Sequence, residues 1–138
     1  MTDMQDQNFF FKIAHRGASA YEPENTLRSF ERAIDLNTDL IEFDVRQSID
    51  GHLVVIHDNT VDRTTDGTGL VALKTLSELK ELNAGKGEKV PTLNEVLDCG
   101  RGRAKFVLEL KENGIEDKIV DIISKNELFD EAFVVSFR

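Results

Sequence analysis

Acidic side chains recur at alternate positions along two segments that have the pattern of β-strands. Glu42 and Asp44 stand two residues apart in DLIEFDVR, and Glu109 lies in AKFVLELK. Residues two apart in a strand share a face, so the first two carboxylates are expected side by side. Buried together they would repel and take up protons unless a hard divalent cation held them. Two solvated residues on an open sheet face would explain the same pair.

The second segment favours the first interpretation. Glu109 repeats the geometry on another strand, and Lys111 adds a cation on the same face that could bind a substrate phosphate. Three carboxylates and a lysine that project from two alternating strands are difficult to explain as surface residues.

Two histidines are expected at strand ends. His15 and Arg16 come where the first strand ends, and Gly17 permits a tight turn there. His57 follows the apolar run LVVI. Strand ends are where α/β barrels place functional side chains, and a pair of histidines allows one to accept a proton while the other donates one.

The elements that would position these residues alternate between strand and helix. Apolar runs and period-two alternation predict strands at 9–15, 39–46, 104–111 and 133–137. Helices are predicted from Pro23 with Asn25 or Thr26 as N-cap, from capping boxes at Thr75 and Thr92, and over 115–126. The turn at Asp50-Gly51 is too short for a parallel crossover, so 53–58 should run antiparallel to the preceding strand. The pattern indicates an α/β fold with a parallel sheet.

Composition narrows the function classes. The chain has 138 residues, enough for one domain, and its net charge of -9 argues against nucleic-acid binding. The single Cys99 cannot form an internal disulfide. Neither a signal-peptide core nor a membrane span is visible, so a cytoplasmic protein with a flexible N-terminus at 1–8 is expected.

Five motifs in register resemble the glycerophosphodiester phosphodiesterase family. They are IAHRGASAYEPENT, IEFDVRQSIDGHLVVIHD, RTTDGTG, VPTLNEVL and VLELK. The resemblance runs from about residue 11 to the end of the chain. It implies that 9–138 form the first half of a (β/α)8 TIM barrel with a small subdomain inserted at about 59–91.

The family pattern also implies a role for each matching residue. These are His15 and His57 as catalytic acid and base; Arg16 and Lys111 as phosphate ligands; Glu42, Asp44 and Glu109 as ligands of calcium or magnesium; and Glu24, Asn25 and Asp58 as supporting residues. Glu24 and Asn25 are expected to order the segment that opens the first helix, and Asp58 to orient His57.

The activity so implied is metal-dependent hydrolysis of a small-molecule glycerophosphodiester to sn-glycerol 3-phosphate and an alcohol. One alternative is another phosphodiesterase on the same barrel plan, similar to phospholipase C or D. A second is an inactive truncated fragment, because such a barrel needs about 250 residues and the strand pattern stops after the fourth barrel strand. The open sheet edges would then be exposed unless two copies close a barrel as a homodimer.

Overall fold

The computed structural model describes residues 11–136 and confirms the α/β class. Its strands are β1 (Ile13–His15), β2 (Leu40–Gln47), β3 (Leu53–Val55), β4 (Lys105–Leu110) and β5 (Ala132–Val135). Its α-helices are α1 (Leu27–Asp35), α2 (Leu76–Lys80), α3 (Leu93–Gly100) and α4 (Glu116–Lys125), and a turn of 3₁₀ helix covers Val71–Leu73. None of the helices within the described residues has the length and apolar character needed to cross a lipid bilayer.

The strands form one sheet around β2. Its order is β1-β2-β4-β5, and each neighbouring pair in that order is parallel. β3 runs antiparallel to β2, which confirms the prediction made from the short turn. Val45 pairs with Leu110 of β4 and also with Val55 of β3, so β3 lies on the same edge of β2 as β1, beyond the end of β1.

One face of the sheet packs against the helices. Ile41, Phe43 and Val45 of β2 are completely buried in the main core, together with apolar residues of α1, α3 and α4. Phe43 meets Phe30 and Phe106 edge to face, with ring centroids 5.7 and 6.2 Å away. Aromatic pairs of this kind contribute about 0.5–1.5 kcal/mol each beyond the burial of their apolar area.

The opposite face of the sheet, which we call the inner face, carries the charged side chains. Glu42 and Asp44 lie on it because they alternate with the buried apolar residues of β2, and they pair in register with Val107 and Glu109 of β4. Burial alternates along β4 as predicted. In β2 the residues of both faces are buried, and the predicted core face is the one whose members, Ile41, Phe43 and Val45, lie in the main core. The same alternation that builds the core therefore brings carboxylates of two strands together.

The outer strands differ most from the prediction. β1 is three residues long; residues 9 and 10 lie outside the described part of the chain, and Phe11 and Lys12 precede the strand. β5 ends at Val135, and its predicted burial is wrong because Phe133 and Val135 are 54% and 37% exposed. Within residues 11–136, each of these strands pairs along one edge only, which leaves the other edge uncovered. The expected flexible segment at 1–8 and both domain limits also fall outside the described residues.

Capping boxes fix where three of the helices begin. The predicted boxes of α2 and α3 are confirmed, with Thr75 and Thr92 as N-caps. At α1 the N-cap is Thr26 and not Asn25, and Ser29 completes the box. Asn25 is therefore free for a different contact, on the inner face of the sheet.

The segment between β3 and α3 packs on a second, smaller core. Its buried members are Val54, Ile56, Val61, Val71, Leu79, Ala84 and Val90. The backbone folds back on itself here, since the N–H of Val61 donates to Gly69 and the N–H of Val71 donates to Asn59, both at 2.9 Å. Residues 59–91, predicted as an insertion, lie within this segment.

Candidate active site

The charged residues of the inner face converge at the carboxyl ends of the parallel strands. His15 ends β1 and pairs in register with Glu42, while Asp44 pairs with Glu109. His57 follows the end of β3. The carboxyl ends of parallel strands lie at the same end of a sheet, so side chains that are far apart in sequence come together there.

Three carboxylates lie close enough to share one cation. Glu42, Asp44 and Glu109, which we call the carboxylate trio, each have an oxygen within 4.8 Å of the other two. Glu42 is 8% exposed and Asp44 is completely buried, and one oxygen of each has no hydrogen-bond partner. Buried unpaired oxygens of charged groups are costly, and a hard divalent cation would satisfy them with the oxygen ligands it prefers.

The raised pKa values of Glu42 and Asp44 indicate that positive charge is lacking around them. Burial raises the pKa of Glu42 to about 7, and the neighbouring charge of Asp44 adds to the effect. Burial also raises the pKa of Asp44, although Asn25 Nδ2 donates to its Oδ2 at 3.1 Å. Burial acts in the same direction on Glu109, but the hydrogen bond from Lys111 at 2.7 Å, the charge of Lys111 and the contacts with Asp44 and His57 together outweigh it, so the pKa is lowered. A bound dication would favour the ionised form of all three.

Arg16 and Asn25 have backbone conformations that few residues other than glycine adopt. Their φ angles are 59° and 55°, in the left-handed region. The N–H of Asn25 donates to Arg16 O at 2.9 Å, and the N–H of Arg16 donates to Glu42 O at 2.8 Å and to Glu42 Oε2 at 3.1 Å. Such strained residues cluster at functional sites, and here the strain directs the Arg16 amide onto Glu42 and the Asn25 side chain onto Asp44.

The two histidines have different surroundings. The His15 side chain is 66% exposed, with Nε2 3.5 Å from Glu42 Oε2. His57 is less exposed, and its Nδ1 lies 2.7 Å from Asp58 Oδ1. The Arg63 guanidinium and the His57 ring hold the pKa of Asp58 well below its usual range. Asp58 therefore only accepts hydrogen bonds, so Nδ1 of His57 carries the proton and Nε2 is left to exchange one with a bound molecule.

Arg16 and Lys111 place positive charge on either side of Asp44. Arg16 Nε is 3.7 Å from Asp44 Oδ2, and Lys111 Nζ is 3.9 Å from Asp44 Oδ1. Both distances are too long for hydrogen bonds, and Arg16 Nε is buried without a hydrogen-bond partner. Arg16 Nη1 donates to Glu24 Oε2 at 3.2 Å, which fixes the guanidinium. This pair of cations can meet an anion beside the carboxylate trio.

Every site residue predicted from the sequence lies in this region. Thr26, the second of the two predicted N-cap candidates, caps α1, whereas Asn25 binds Asp44. Glu24 binds Arg16. Two arginines are additional. Arg46 Nε donates to the carbonyl of His57 at 2.9 Å, and Arg63 binds both Glu24 and Asp58. The motif RTTDGTG contains Arg63, but nothing in it indicates these partners.

Residues 15–133 match the model of the Glycerophosphoryl diester phosphodiesterase family. The chain belongs to this family. Among curated members, the glycerophosphodiester phosphodiesterase of Caldanaerobacter subterraneus subsp. tengcongensis is 46% identical over 139 residues, which cover 91% of this chain and 57% of the relative. Human glycerophosphodiester phosphodiesterase 1 is 35% identical over 140 residues, with 91% and 42% covered. The chain thus spans about half the length of these curated relatives.

Solved structures of glycerophosphodiester phosphodiesterases share the fold. The enzyme of Agrobacterium tumefaciens superposes with a TM-score of 0.89 at 41% identity, covering 94% of this chain and 59% of the other. An Oleispira antarctica phosphodiesterase in complex with the product sn-glycerol-3-phosphate gives 0.87 at 36% identity, covering 94% and 58%. These neighbours are TIM barrels, so the predicted barrel is confirmed for the part of it that the chain spans.

Proposed function

We propose that the protein hydrolyses glycerophosphodiesters to sn-glycerol 3-phosphate and an alcohol, with a divalent metal ion in the carboxylate trio. The observation that carries the proposal is that trio, largely buried between two histidines and two cations at one end of a parallel sheet. The relative from Oleispira antarctica, whose structure contains sn-glycerol-3-phosphate, supports the choice of substrate class.

We assign calcium or magnesium to the trio. Both are hard cations that prefer oxygen ligands, and the trio offers carboxylate oxygens. When bound, such an ion polarises a phosphoryl oxygen and offsets the charge that accumulates on it in the transition state. The partnerless oxygens of Glu42 and Asp44 are the donors whose burial supports this assignment.

The residues of this chain divide the remaining work. A phosphodiester is an anion that repels a nucleophile, and Arg16 and Lys111 offset that charge. His15 accepts a proton from water, or from the substrate's own 2-hydroxyl on the way to a cyclic phosphate. His57 gives a proton to the leaving alcohol from Nε2 while Asp58 holds Nδ1. Exchanging the roles of the two histidines would use the same groups.

Alanine substitution of each histidine tests the acid and base assignments. His15→Ala and His57→Ala should each lower kcat by roughly 10² to 10⁴, the usual contribution of a general acid or base. His52→Ala is the matched control, because His52 is exposed and its nearest acidic partner is Asp50, at 3.9 Å. If His57→Ala turned over as fast as His52→Ala, the acid role of His57 would be lost.

The identity of the product separates this proposal from its enzymatic alternatives. Release of glycerol 3-phosphate from glycerophosphocholine supports it. Release of inositol phosphate or of ceramide phosphate from the corresponding lipids would instead favour a phosphodiesterase similar to phospholipase C or D.

The homodimer, the inactive fragment and the cytoplasmic location stay predictions. β1 and β5 each have an unpaired edge within the described residues, and the chain spans about half of its curated relatives. Light scattering gives the mass in solution. A dimer with metal-dependent activity would favour closure of the barrel by a second copy of the chain, and an inactive monomer would favour the inactive fragment. Cell fractionation tests the cytoplasmic location.

A further inference from the structure

Arg63 joins two carboxylates that come from different parts of the chain. Its Nε donates to Asp58 Oδ2 at 2.9 Å and its Nη1 donates to Glu24 Oε1 at 2.7 Å. Its Nη2 donates to both, at 3.1 Å to Glu24 Oε2 and at 3.0 Å to Asp58 Oδ1. The guanidinium is thus bidentate to each carboxylate, the geometry in which arginine is most directional.

Each of these carboxylates holds one residue of the proposed machinery. Asp58 accepts from His57 Nδ1 at 2.7 Å, and Glu24 accepts from Arg16 Nη1 at 3.2 Å. Through Asp58 and Glu24, Arg63 therefore links His57, the proposed acid, to Arg16, the proposed phosphate-binding residue. Without it, Asp58 and Glu24 would each lose two hydrogen bonds from a charged donor.

The segment between β3 and α3 delivers this arginine. Arg63 lies in a turn that follows the buried Val61, the side chain of Thr65 donates to Val61 O at 2.7 Å, and the N–H of Gly69 donates to Asp62 Oδ1 at 2.9 Å. The turn is therefore anchored to the second core, which also contains Val54 of β3. A residue held in this way can position Asp58, which follows β3, and Glu24, which lies in the loop after β1.

We propose that Arg63 is a positioning residue, which acts through Asp58 and Glu24 to hold His57 and Arg16 in their working orientations. The inference rests on the proposed function for its catalytic meaning, although the contacts exist independently of it. It gives the segment at 59–91 a role: to supply the clamp that fixes two residues of the site relative to each other.

The geometry favours positioning over direct contact with substrate. All three guanidinium nitrogens of Arg63 already donate to carboxylates, whereas Arg16 Nε is buried and has no hydrogen-bond partner. Arg63 is also the largest cause of the lowered pKa of Asp58, which keeps that carboxylate an acceptor for His57. A phosphate would have to break existing ion pairs to reach Arg63.

Nitrogen NMR of the histidine rings tests the proposal without any need for turnover. In the wild-type chain at pH about 9, where a free imidazole is neutral, we expect His57 to carry its proton on Nδ1. In Arg63→Ala, Asp58 loses its anchor, and the fraction with the proton on Nδ1 should fall as the Nε2–H form appears. Arg103→Ala is the matched control, because Arg103 is bidentate to Glu31 and neither of these two residues belongs to the site. The side chain of Arg103 is 42% exposed, compared with 49% for Arg63.

Kinetics provide the second readout. Arg63→Ala should lower kcat by about 10- to 100-fold, because a residue that orients groups of the site through other side chains is lost, and KM should change little. Arg63→Lys keeps the positive charge but cannot form the two bidentate contacts, so its kcat should lie between those of wild type and Arg63→Ala. If the wild-type chain releases no glycerol 3-phosphate, the proposed function fails, while the ring-nitrogen measurement still decides the role of Arg63.

Two results would overturn the inference. One is an Nδ1–H fraction at His57 that is equal in wild type and Arg63→Ala. The other is a raised KM with unchanged kcat, which would make Arg63 a substrate ligand. Thermal unfolding followed by circular dichroism checks that each variant is folded. If Arg63→Ala is unfolded, the same NMR and kinetic measurements are made on Arg63→Gln.

Discussion

Replacing Glu42 with glutamine should have opposite effects on stability in the absence and in the presence of divalent metal. Glu42 is 8% exposed and lies beside Asp44, and one of its carboxylate oxygens has no hydrogen-bond partner. In the metal-free protein at alkaline pH, its negative charge is buried and only partly offset by the N–H and the charge of Arg16, and glutamine removes that charge. In the metal-bound protein the same charge is a ligand, and glutamine weakens the binding that stabilises the fold.

The magnitude follows from the pKa of Glu42, which burial raises from 4.5 to about 7. Each tenfold change in the ionisation equilibrium corresponds to about 1.4 kcal/mol, so the ionised side chain lowers the free energy of unfolding by roughly 3 kcal/mol. Between pH 4.5 and about 7 the folded state keeps a proton that the unfolded state releases, so stability falls as pH rises through that window. An unpaired amide N–H in the variant costs about 1 kcal/mol, which leaves a net gain of about 2 kcal/mol.

Urea unfolding followed by circular dichroism measures both effects. With chelator, Glu42→Gln should be the more stable protein at pH about 8 and should lose that advantage at pH about 5. With excess calcium or magnesium, wild type should be the more stable. Glu31→Gln is the control. A hydrogen bond from Arg103 lowers the pKa of Glu31, so removing the charge of Glu31 should not raise the free energy of unfolding. Equal free energies of unfolding for wild type and Glu42→Gln at both pH values would refute the reasoning.

The remaining predictions concern a glycine and a lysine. A Cβ on Gly17 would lie 2.2 Å from Ser29 Oγ, whereas Gly87 has the same φ of +78° and nothing within 4 Å. Gly17→Ala should therefore lower the free energy of unfolding by about 1–3 kcal/mol more than Gly87→Ala, and equal losses in urea would contradict the clash. Lys111→Gln should weaken inhibition by glycerol 3-phosphate by roughly 10- to 100-fold, the worth of a charged hydrogen bond, and an unchanged inhibition constant would exclude Lys111 as a phosphate ligand.

The convergence of the carboxylate trio was predictable because strand periodicity fixes it. Ile41, Phe43 and Val45 must face the core, so Glu42 and Asp44 must face away from it. The same rule applies to β4, and the parallel pairing of β2 with β4 then brings Glu109 beside Asp44. No long-range information is needed for that step beyond the adjacency of the two strands.

Contacts at the start of α1 and the limits of the outer strands were less predictable. Asn25 and Thr26 are both good N-cap residues, and the choice between them depends on Asn25 reaching Asp44 across 19 positions of sequence. The lengths of β1 and β5 depend on which neighbours pair with them, and apolar composition alone predicted longer, buried strands. A strand's propensity reflects its fit to neighbouring strands more than its own sequence.

The bridge formed by Arg63 could not be read from the sequence. It connects Arg63 to Glu24, 39 positions earlier in the chain, through a turn whose placement is set by packing on the second core. The raised pKa of Glu42 also depends on burial by the assembled sheet, because an isolated strand would leave the carboxylate in water.

Release of glycerol 3-phosphate from glycerophosphocholine by the 138-residue chain, before and after removal of divalent metal, tests the central claim most directly. We expect release in calcium or magnesium, loss of release on chelation, and recovery when the ion is returned. Asp44→Asn should not recover, since it removes a charge from the carboxylate trio. Release that continues unchanged in chelator, or no release under any of these conditions, would contradict the account.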